Sequence, residues 1–365
     1  MSQFYAVLFL CLSFLFPVLA DTPPKLKISN IITKNRFPGW MAEQIASDLA
    51  SFAPEDYSKQ ALDNFMDQQG PDSGFVRFQV KDGVVDVDMK CHLPLLVLRA
   101  TVLERAFKWL AKEIILPDLD FICTVHDGSL SDFSVPVLVF AKKKTSKHLL
   151  MPDFEILEGY GELSRSVLAA GSVILWNQKK PVAFWRGSTT GGIYTEVKWA
   201  QFPRSQLVLL SVRYPRKINA RFTCFSQGAE HNEEMRGIPQ LLGNRVSPAD
   251  SLQYKYLIDI DGNNCGYQRL YWTLLSSCAV FKQVSDNVQW YYSILKPYEH
   301  YIPFANDCSD LIEKVDWARE HDQEVKKIAN QGTQFAVRNL QMEHAYAYLY
   351  LLLKMYAERQ QVAYD

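Results

Sequence analysis

The chain has 365 residues, 48% hydrophobic and 13% aromatic, which suits one large or two ordinary globular domains. Its 39 Lys and Arg stand against 40 Asp and Glu, a net charge of −1, so no basic excess marks a general nucleic-acid binder. No low-complexity tract, internal repeat or heptad run is visible.

Phe4–Ala20 (FYAVLFLCLSFLFPVLA) is one apolar run, short for a membrane span, and Val18-Leu19-Ala20 fits a small-residue cleavage site. It predicts a signal peptide over residues 1–20, hence the secretory pathway or cell envelope. The competing reading is an uncleaved anchor, with membrane association through the N-terminus. Residues 21–38 read as a leading linker, and Met41–Phe52 has helical periodicity. FVRFQV, the turn KDG and VVDVDM predict a hairpin within Gly74–Met89. Leu93–Ile115 is a long amphipathic helix pattern. Asp120–Val125 is an apolar strand ending at His126-Asp127-Gly128, and Val135–Phe140 is a buried strand.

Further strands are expected at Val173–Leu175, Ala183–Trp185, Leu207–Leu210, Leu257–Ile260 and Ala279–Phe281. Helical runs alternate with them, the rhythm of an α/β fold with parallel sheets. Gln341–Arg359 reads as a final packing helix. The Pro181 region is taken as the domain boundary, giving domains over 21–180 and 181–365. Cys11 lies in the leader; Cys91, Cys123, Cys224, Cys265, Cys278 and Cys308 remain, an even number that permits disulfides in a secreted chain. Without a CxxC pair a structural zinc site is not expected. Cys123 and Cys278 read as buried thiols, and any pairing among the rest stays open.

Tyr254–Lys282 is the most informative stretch. A strand ends in Asp261-Gly262-Asn263-Asn264, then Arg269 opens an amphipathic run before the next strand. Strand, turn and helix in that order present backbone N–H groups to an anion. Upstream, FWRGSTTGG (Phe184–Gly192) supplies glycines and hydroxyls suited to a phosphate. Asp127 stands just past a strand end, where α/β sheets place functional groups; taken locally, it is a turn-forming Asp before Gly. His126 beside it is a second acid–base group and is read as a neighbour. Asp259-Ile260-Asp261 forms a DxD string of the type that holds a divalent cation, and Asp86-Val87-Asp88 forms another, read as a solvated face. Most of the 8 Trp and 18 Tyr read as core, although aromatic platforms also suit sugars.

These blocks together resemble glycosyltransferase family 90, the lipopolysaccharide-modifying and capsule-associated transferases that include the eukaryotic protein O-glucosyltransferases. The resemblance covers roughly residues 40–355. It implies a GT-B-like α/β fold: two Rossmann-like domains facing a cleft, with a C-terminal packing helix. It implies an inverting, metal-independent transfer from a UDP-sugar, glucose or xylose, to a hydroxyl of a glycan, lipopolysaccharide or protein, with no cofactor and no metal site. DFICTVHDGSL matches the family strand ending in the catalytic base, which falls on Asp127. Donor binding is assigned to Arg186, Gly187, Ser188 and Arg204, and to Asp261, Gly262, Asn263, Asn264, Gly266, Tyr267, Gln268 and Arg269. The eukaryotic register puts the diphosphate Arg at Gln268; Arg269, one residue on, is the residue chosen here. The loop between Ser188 and Arg204 is longer than in the protein O-glucosyltransferases, and Asp261-Gly262 stands where they carry Arg-Gly. WYYSILKPYEHYIPF (Trp290–Phe304) also matches, with Lys296-Pro297 and His300-Tyr301 expected in the pocket wall. The rival readings are an inactive carbohydrate-binding protein of the same fold, and a metal-dependent GT-A transferase using Asp259 and Asp261.

Overall fold

The computed structural model describes residues 22–128 and 131–364; the expected leader and Cys11 lie outside these residues. In chain order the strands are β1 (Phe75–Lys81), β2 (Val84–Met89), β3 (Leu119–Thr124), β4 (Val137–Val139), β5 (Lys142–Lys143), β6 (Leu149–Leu150), β7 (Lys180–Ser188), β8 (Ile218–Cys224), β9 (Tyr254–Asp259), β10 (Ala279–Gln283), β11 (Asn287–Val288) and β12 (Ile302–Phe304). The chain divides into two compact units. One holds Asp21–Tyr160, Asp286–Leu295 and Leu340–Asp365; the other holds Gly161–Ser285 and Lys296–Asn339.

The first unit carries a mixed sheet in the order β2-β1-β3-β4-β6. β1 and β2 form the expected hairpin, closed by Asp82 and Gly83 at φ of 51° and 76°. Positive φ at both turn residues is the twist that fits a two-residue hairpin, and Asp-Gly supplies it cheaply. The helix Pro94–Glu113 starts on a proline at its first position and buries Ala100, Leu103, Phe107 and Leu110, one face at helical spacing. Phe107 meets Phe78 of β1 and Phe121 of β3 at ring distances of 4.6 and 5.0 Å, which places the core between helix and sheet.

The final helix, Met342–Tyr364, belongs to this unit. Its Gln360 side chain accepts from the Asp120 N–H at 2.8 Å and donates to the Asp120 and Tyr57 carbonyls at 2.9 Å each. The expectation that it packs within the C-terminal domain is therefore corrected.

The second unit is built on a fully parallel sheet in the order β12-β10-β9-β7-β8. Its central strands bury consecutive residues, such as Ala183–Trp185 and Ala279–Phe281, because helices cover both faces. The chain runs from β7 outward to β8, then returns across β7 to β9, β10 and β12. This is the doubly wound, Rossmann-like arrangement, and the winding reverses between β7 and β9.

Several local expectations change. Leu207–Leu210 is not a strand but part of the helix Pro203–Arg213, whose buried Ser205, Leu207, Val208 and Ser211 follow a helical rather than an alternating spacing. Val173–Leu175 is the end of the helix Gly161–Val173 and its exit, with Val173 and Leu175 exposed. The linker over 21–38 contains the helix Lys25–Thr33. The units divide at Tyr160/Gly161 and not at Pro181, which sits at the start of β7, where a strand tolerates proline. The helix Gly161–Val173 is tied into the second unit by a 2.8 Å bond between the Ser164 and Tyr271 hydroxyls. None of Cys91, Cys123, Cys224, Cys265, Cys278 and Cys308 forms a disulfide among the described residues. No helix among the described residues is long and apolar enough to cross a membrane.

Candidate active site

The winding reversal between β7 and β9 is where a doubly wound sheet leaves room for a ligand beyond its strand ends. A cavity of about 440 Å³ lies there, lined by Arg186, Gly187, Ser188 and Thr190 of the β7 end, Arg204, Thr223 and Cys224 at the end of β8, Arg245, Val246 and Arg269. Four of its ten lining residues are arginines, so its field is strongly positive.

The two turns that frame the cavity meet backbone to backbone. A Cβ on Gly191, whose φ is +105°, would come within 2.8 Å of the Gly262 carbonyl oxygen. A Cβ on Gly262 would lie 2.5 Å from Thr190 Oγ1 and 2.6 Å from Arg204 Nη2. Neither approach leaves space for a side chain. Gly187 is required by a different neighbour: a Cβ there would lie 2.4 Å from the Trp185 ring, and the β7–β8 register shifts at Gly187/Ser188.

Arg204 joins the turns. Its Nε donates to the Asp261 carbonyl at 2.8 Å, and its Nη1 donates to the Ser188 carbonyl at 2.9 Å and to Thr190 Oγ1 at 2.6 Å. The loop after Ser188 thus delivers Arg204 to the Ser188 turn. Arg204 and Arg269 both stand over the Trp185 ring, at 5.5 and 5.7 Å from its centroid. Arg269, in the first turn of the helix Tyr267–Leu275, donates from Nη2 to the Arg186 carbonyl at 2.6 Å. Arg186 stacks on Phe184 and donates to the Trp185 and Asn219 carbonyls and to Asn219 Oδ1, while its buried Nε has no hydrogen-bond partner among the described residues.

Among the described residues no carboxylate forms an ion pair with Arg186, Arg204 or Arg269. Burial lowers all three guanidinium pKa values; that of Arg269 falls to about 10, with Arg204 the next cause. Clustered, partly desolvated cations of one sign are costly until an anion neutralises them.

Asp259 lies beneath this cluster and is fully buried, at 0% exposure. A Cβ on Gly266, the residue before the helix, would lie 2.2 Å from Asp259 Oδ1, so the carboxylate abuts the helix N-terminus. Desolvation lifts its pKa to about 6 against the pull of Lys282. Among the described residues no three His, Cys, Asp or Glu side chains cluster as a metal-ligand set. Asp86 and Asp88 sit on the exposed face of β2.

The expected donor residues fall into three groups. Arg186, Gly187, Ser188, Arg204 and Arg269 line the cavity. Asp261, Gly262 and Asn263 shape the adjoining turn: the Asp261 N–H donates to Gln283 Oε1 at 2.8 Å, and Asn263 Oδ1 accepts from the Gly191 N–H at 3.1 Å. Asn264 is buried and caps the Cys265 N–H, and Gly266 precedes the helix. Tyr267 and Gln268 begin the helix and are not in the cavity lining. Lys296-Pro297 and His300-Tyr301 are not in that lining either. They close a turn of their own, with the Lys296 N–H donating to His300 Nδ1 at 3.0 Å and His300 packed on Phe335.

The sequence reading missed Thr190, Thr223, Cys224, Arg245 and Val246. Thr190 lies inside the quoted FWRGSTTGG block, but a lone Arg245 in a loop gives no pattern. It is placed by Gly243, whose N–H joins the Phe222 carbonyl at 2.8 Å and leads the loop along β8.

Asp127 belongs to the other unit and follows β3. Its Oδ2 accepts from Arg99 Nη2 at 3.1 Å, and Arg99 also donates from Nη1 to the Val125 carbonyl at 2.9 Å. His126 packs against Gly74, where a Cβ would lie 2.5 Å from its ring.

The family model of glycosyl transferase family 90 matches residues 38–364. Protein O-glucosyltransferase 2 of Danio rerio is 30% identical over 328 residues, covering 87% of this chain and 62% of that protein. Protein O-glucosyltransferase 3 of Mus musculus is 32% identical over 264 residues, 69% of this chain and 49% of that protein. Protein O-glucosyltransferase 1 of Rattus norvegicus is 25% identical over 265 residues, 67% of this chain and 63% of that protein. The chain thus spans about half to five-eighths of the length of these relatives. With a match along almost its whole described length, the chain belongs to glycosyl transferase family 90.

Proposed function

We propose that this chain is an inverting glycosyltransferase that moves a sugar, glucose or xylose, from a UDP-sugar to an acceptor hydroxyl. The observation that carries the reading is the arginine-lined cavity at the β7/β9 reversal, whose Arg186, Arg204 and Arg269 form no ion pair with a carboxylate among the described residues. A diphosphate supplies the missing negative charge, and a leaving diphosphate needs that stabilisation most. Asp127 takes the acceptor hydroxyl proton; the oxygen attacks the anomeric carbon; the bond from that carbon to the β-phosphate oxygen breaks, and UDP leaves with its electron pair. The transfer uses no metal, since guanidinium groups, turn N–H groups and the helix N-terminus at Tyr267 balance the charge.

The reading extends to a GT-B architecture, one Rossmann-like domain for the donor and one bearing Asp127 for the acceptor. The relatives are named as protein O-glucosyltransferases, which supports a protein hydroxyl as acceptor; a glycan or lipopolysaccharide hydroxyl is the other class. The apolar run Phe4–Ala20 with its small-residue end supports a place in the secretory pathway or cell envelope. The test is UDP release with UDP-glucose and UDP-xylose over a panel of protein, glycan and lipopolysaccharide acceptors, with product masses read by mass spectrometry. Absence of UDP binding together with absence of any glycosylated product overturns the reading.

A further inference from the structure

Gln227 lines no part of the cavity, yet it holds three segments around it. Its Oε1 accepts from the Gly191 and Gly192 N–H groups at 3.0 and 3.3 Å, and its Nε2 donates to Asn263 Oδ1 at 2.8 Å. That same Asn263 oxygen accepts from the Gly191 N–H at 3.1 Å, so the two amides and one loop N–H close a ring of hydrogen bonds. On the main chain the Gln227 carbonyl accepts from the Tyr194 N–H at 2.8 Å. The preceding residue is fastened as well: the Ser226 N–H donates to Thr189 Oγ1 at 2.6 Å, and Ser226 Oγ donates to the Thr189 carbonyl at 2.7 Å.

Gln227 also has a φ of +54°. A left-handed backbone is unfavourable for a side chain of this kind, and Gly would adopt it freely. The position retains a long amide whose two ends each reach a different turn, and Asn, which tolerates the same φ, is a methylene too short for that span.

We infer that Gln227 is a positioning residue for the anion-binding cavity. It sets the separation of the Ser188–Gly192 loop from the Asp261–Asn264 turn, and through it the placement of Thr190, Ser188 and Arg204 around the bound diphosphate. Arg204 bridges the same two segments from the cavity side, so Gln227 is the outer of two clasps. The inference rests on the proposed nucleotide-sugar reading for the identity of the anion, whereas the clasp is a property of the two turns alone.

The test uses the full chain and three substitutions. Gln227→Gly keeps the backbone conformation and removes the clasp; Gln227→Asn keeps the conformation and shortens the reach; Gln227→Glu keeps acceptors toward Gly191 and Gly192 but cannot donate to Asn263. The dissociation constant for UDP, measured by calorimetry, is expected to rise about ten-fold for Gly and Asn and less for Glu, while turnover at saturating donor falls by less than about three-fold. Hydrogen exchange is expected to quicken in residues 189–192 and 261–264 together in the Gly variant, with the thermal midpoint close to that of the parent chain. Wild-type affinity in the Gly variant, or unchanged exchange in both turns, overturns the inference. Should the parent chain bind no UDP while exchange quickens as expected, the clasp stands and the nucleotide reading falls.

Discussion

Arg99 Nη2 meets Asp127 Oδ2 at 3.1 Å while Arg99 Nη1 holds the Val125 carbonyl at 2.9 Å, so one buried guanidinium fixes both the carboxylate and the chain leading to it. Arg99 lies 5.0 Å from the Phe154 ring centroid and comes from the helix Pro94–Glu113, which is rigid over five turns. A carboxylate held in this way has a fixed direction, which a general base requires.

Asp127→Asn keeps size and removes basicity. Turnover is expected to fall by about 10²–10⁴-fold while UDP affinity stays at the parent value. Arg99→Met leaves the Asp127 carboxylate chemically intact but free to turn. It is expected to lower turnover less than Asp127→Asn, because the carboxylate survives but loses the direction that Arg99 gives it. Steady-state rates across pH with calorimetric UDP binding decide the matter; near-normal turnover in Asp127→Asn removes Asp127 from the chemistry.

Arg269 and Gln268 compete for the diphosphate contact. Arg269 reaches the cavity with one guanidinium N–H committed to the Arg186 carbonyl, which leaves its other donors available for a ligand. Arg269→Ala is expected to weaken UDP binding by roughly 1.5–3 kcal/mol, and Gln268→Ala by less than about 0.5 kcal/mol. Calorimetry giving the reverse order would return the contact to Gln268.

Arg204 spends its donors differently, on the Ser188 and Asp261 carbonyls and on Thr190 Oγ1. Lys cannot reproduce that fork, so Arg204→Lys preserves charge and loses geometry. Its cost is expected in stability as well as affinity, at about 2–4 kcal/mol in urea unfolding. Arg269→Lys, by contrast, is expected to leave the unfolding midpoint nearly unchanged. Equal stability of the Arg204→Lys variant and the parent would show that the turns hold without the fork.

How much of this was legible in the sequence differs by element. The hairpin at Asp82-Gly83 and the helix from Pro94 were readable because local chemistry, a left-handed turn pair and an N-terminal proline, agrees with tertiary packing. Leu207–Leu210 was misread because four consecutive residues rich in Leu and Val carry no period of their own; the helix is set by Pro203 and by buried Ser205 and Ser211 on either side. The docking of Met342–Tyr364 on β3 through Gln360 depends on a contact 240 residues apart, which no local pattern encodes. Within the site, Ser188 and Arg269 were assigned through the resemblance of their sequence blocks to the family, whereas Arg245 and Gln227 lie in the folding back of the chain after β8 and carry no signal nearby.

Asp259 gives a pH test. Its carboxyl is raised from 3.8 to about 6 by burial, so the folded chain binds its proton more tightly than the unfolded chain does. Its contribution to stability is fully present below about pH 4 and is lost as pH rises through about 6, a change of about 3 kcal/mol for roughly two pH units. Asp259→Asn cannot ionise. Relative to the parent, it is expected to gain stability by about 2–3 kcal/mol between pH 4 and pH 7.5, read from urea unfolding at both values. A constant difference between the two chains would show that Asp259 ionises at an ordinary pH in the folded state.

The last prediction concerns divalent cations. In a DxD site two carboxylates reach a metal that bridges the diphosphate, so both must face the ligand. Here the Asp259 carboxylate is sealed against Gly266 at the helix N-terminus and is not part of the cavity lining, while Arg186, Arg204, Arg245 and Arg269 line the cavity itself. Those four cations exceed the two negative charges of a bound nucleotide-sugar diphosphate, and a further dication would add repulsion. Sugar transfer is therefore expected to proceed at more than about half its rate in excess EDTA, and Asp259→Asn is expected to change turnover by less than about ten-fold. Initial rates with and without EDTA, and with Mn²⁺ restored, check this. Activity abolished by EDTA and recovered with Mn²⁺ would make Asp259 and Asp261 the metal site and replace the arginine-based account of how UDP departs.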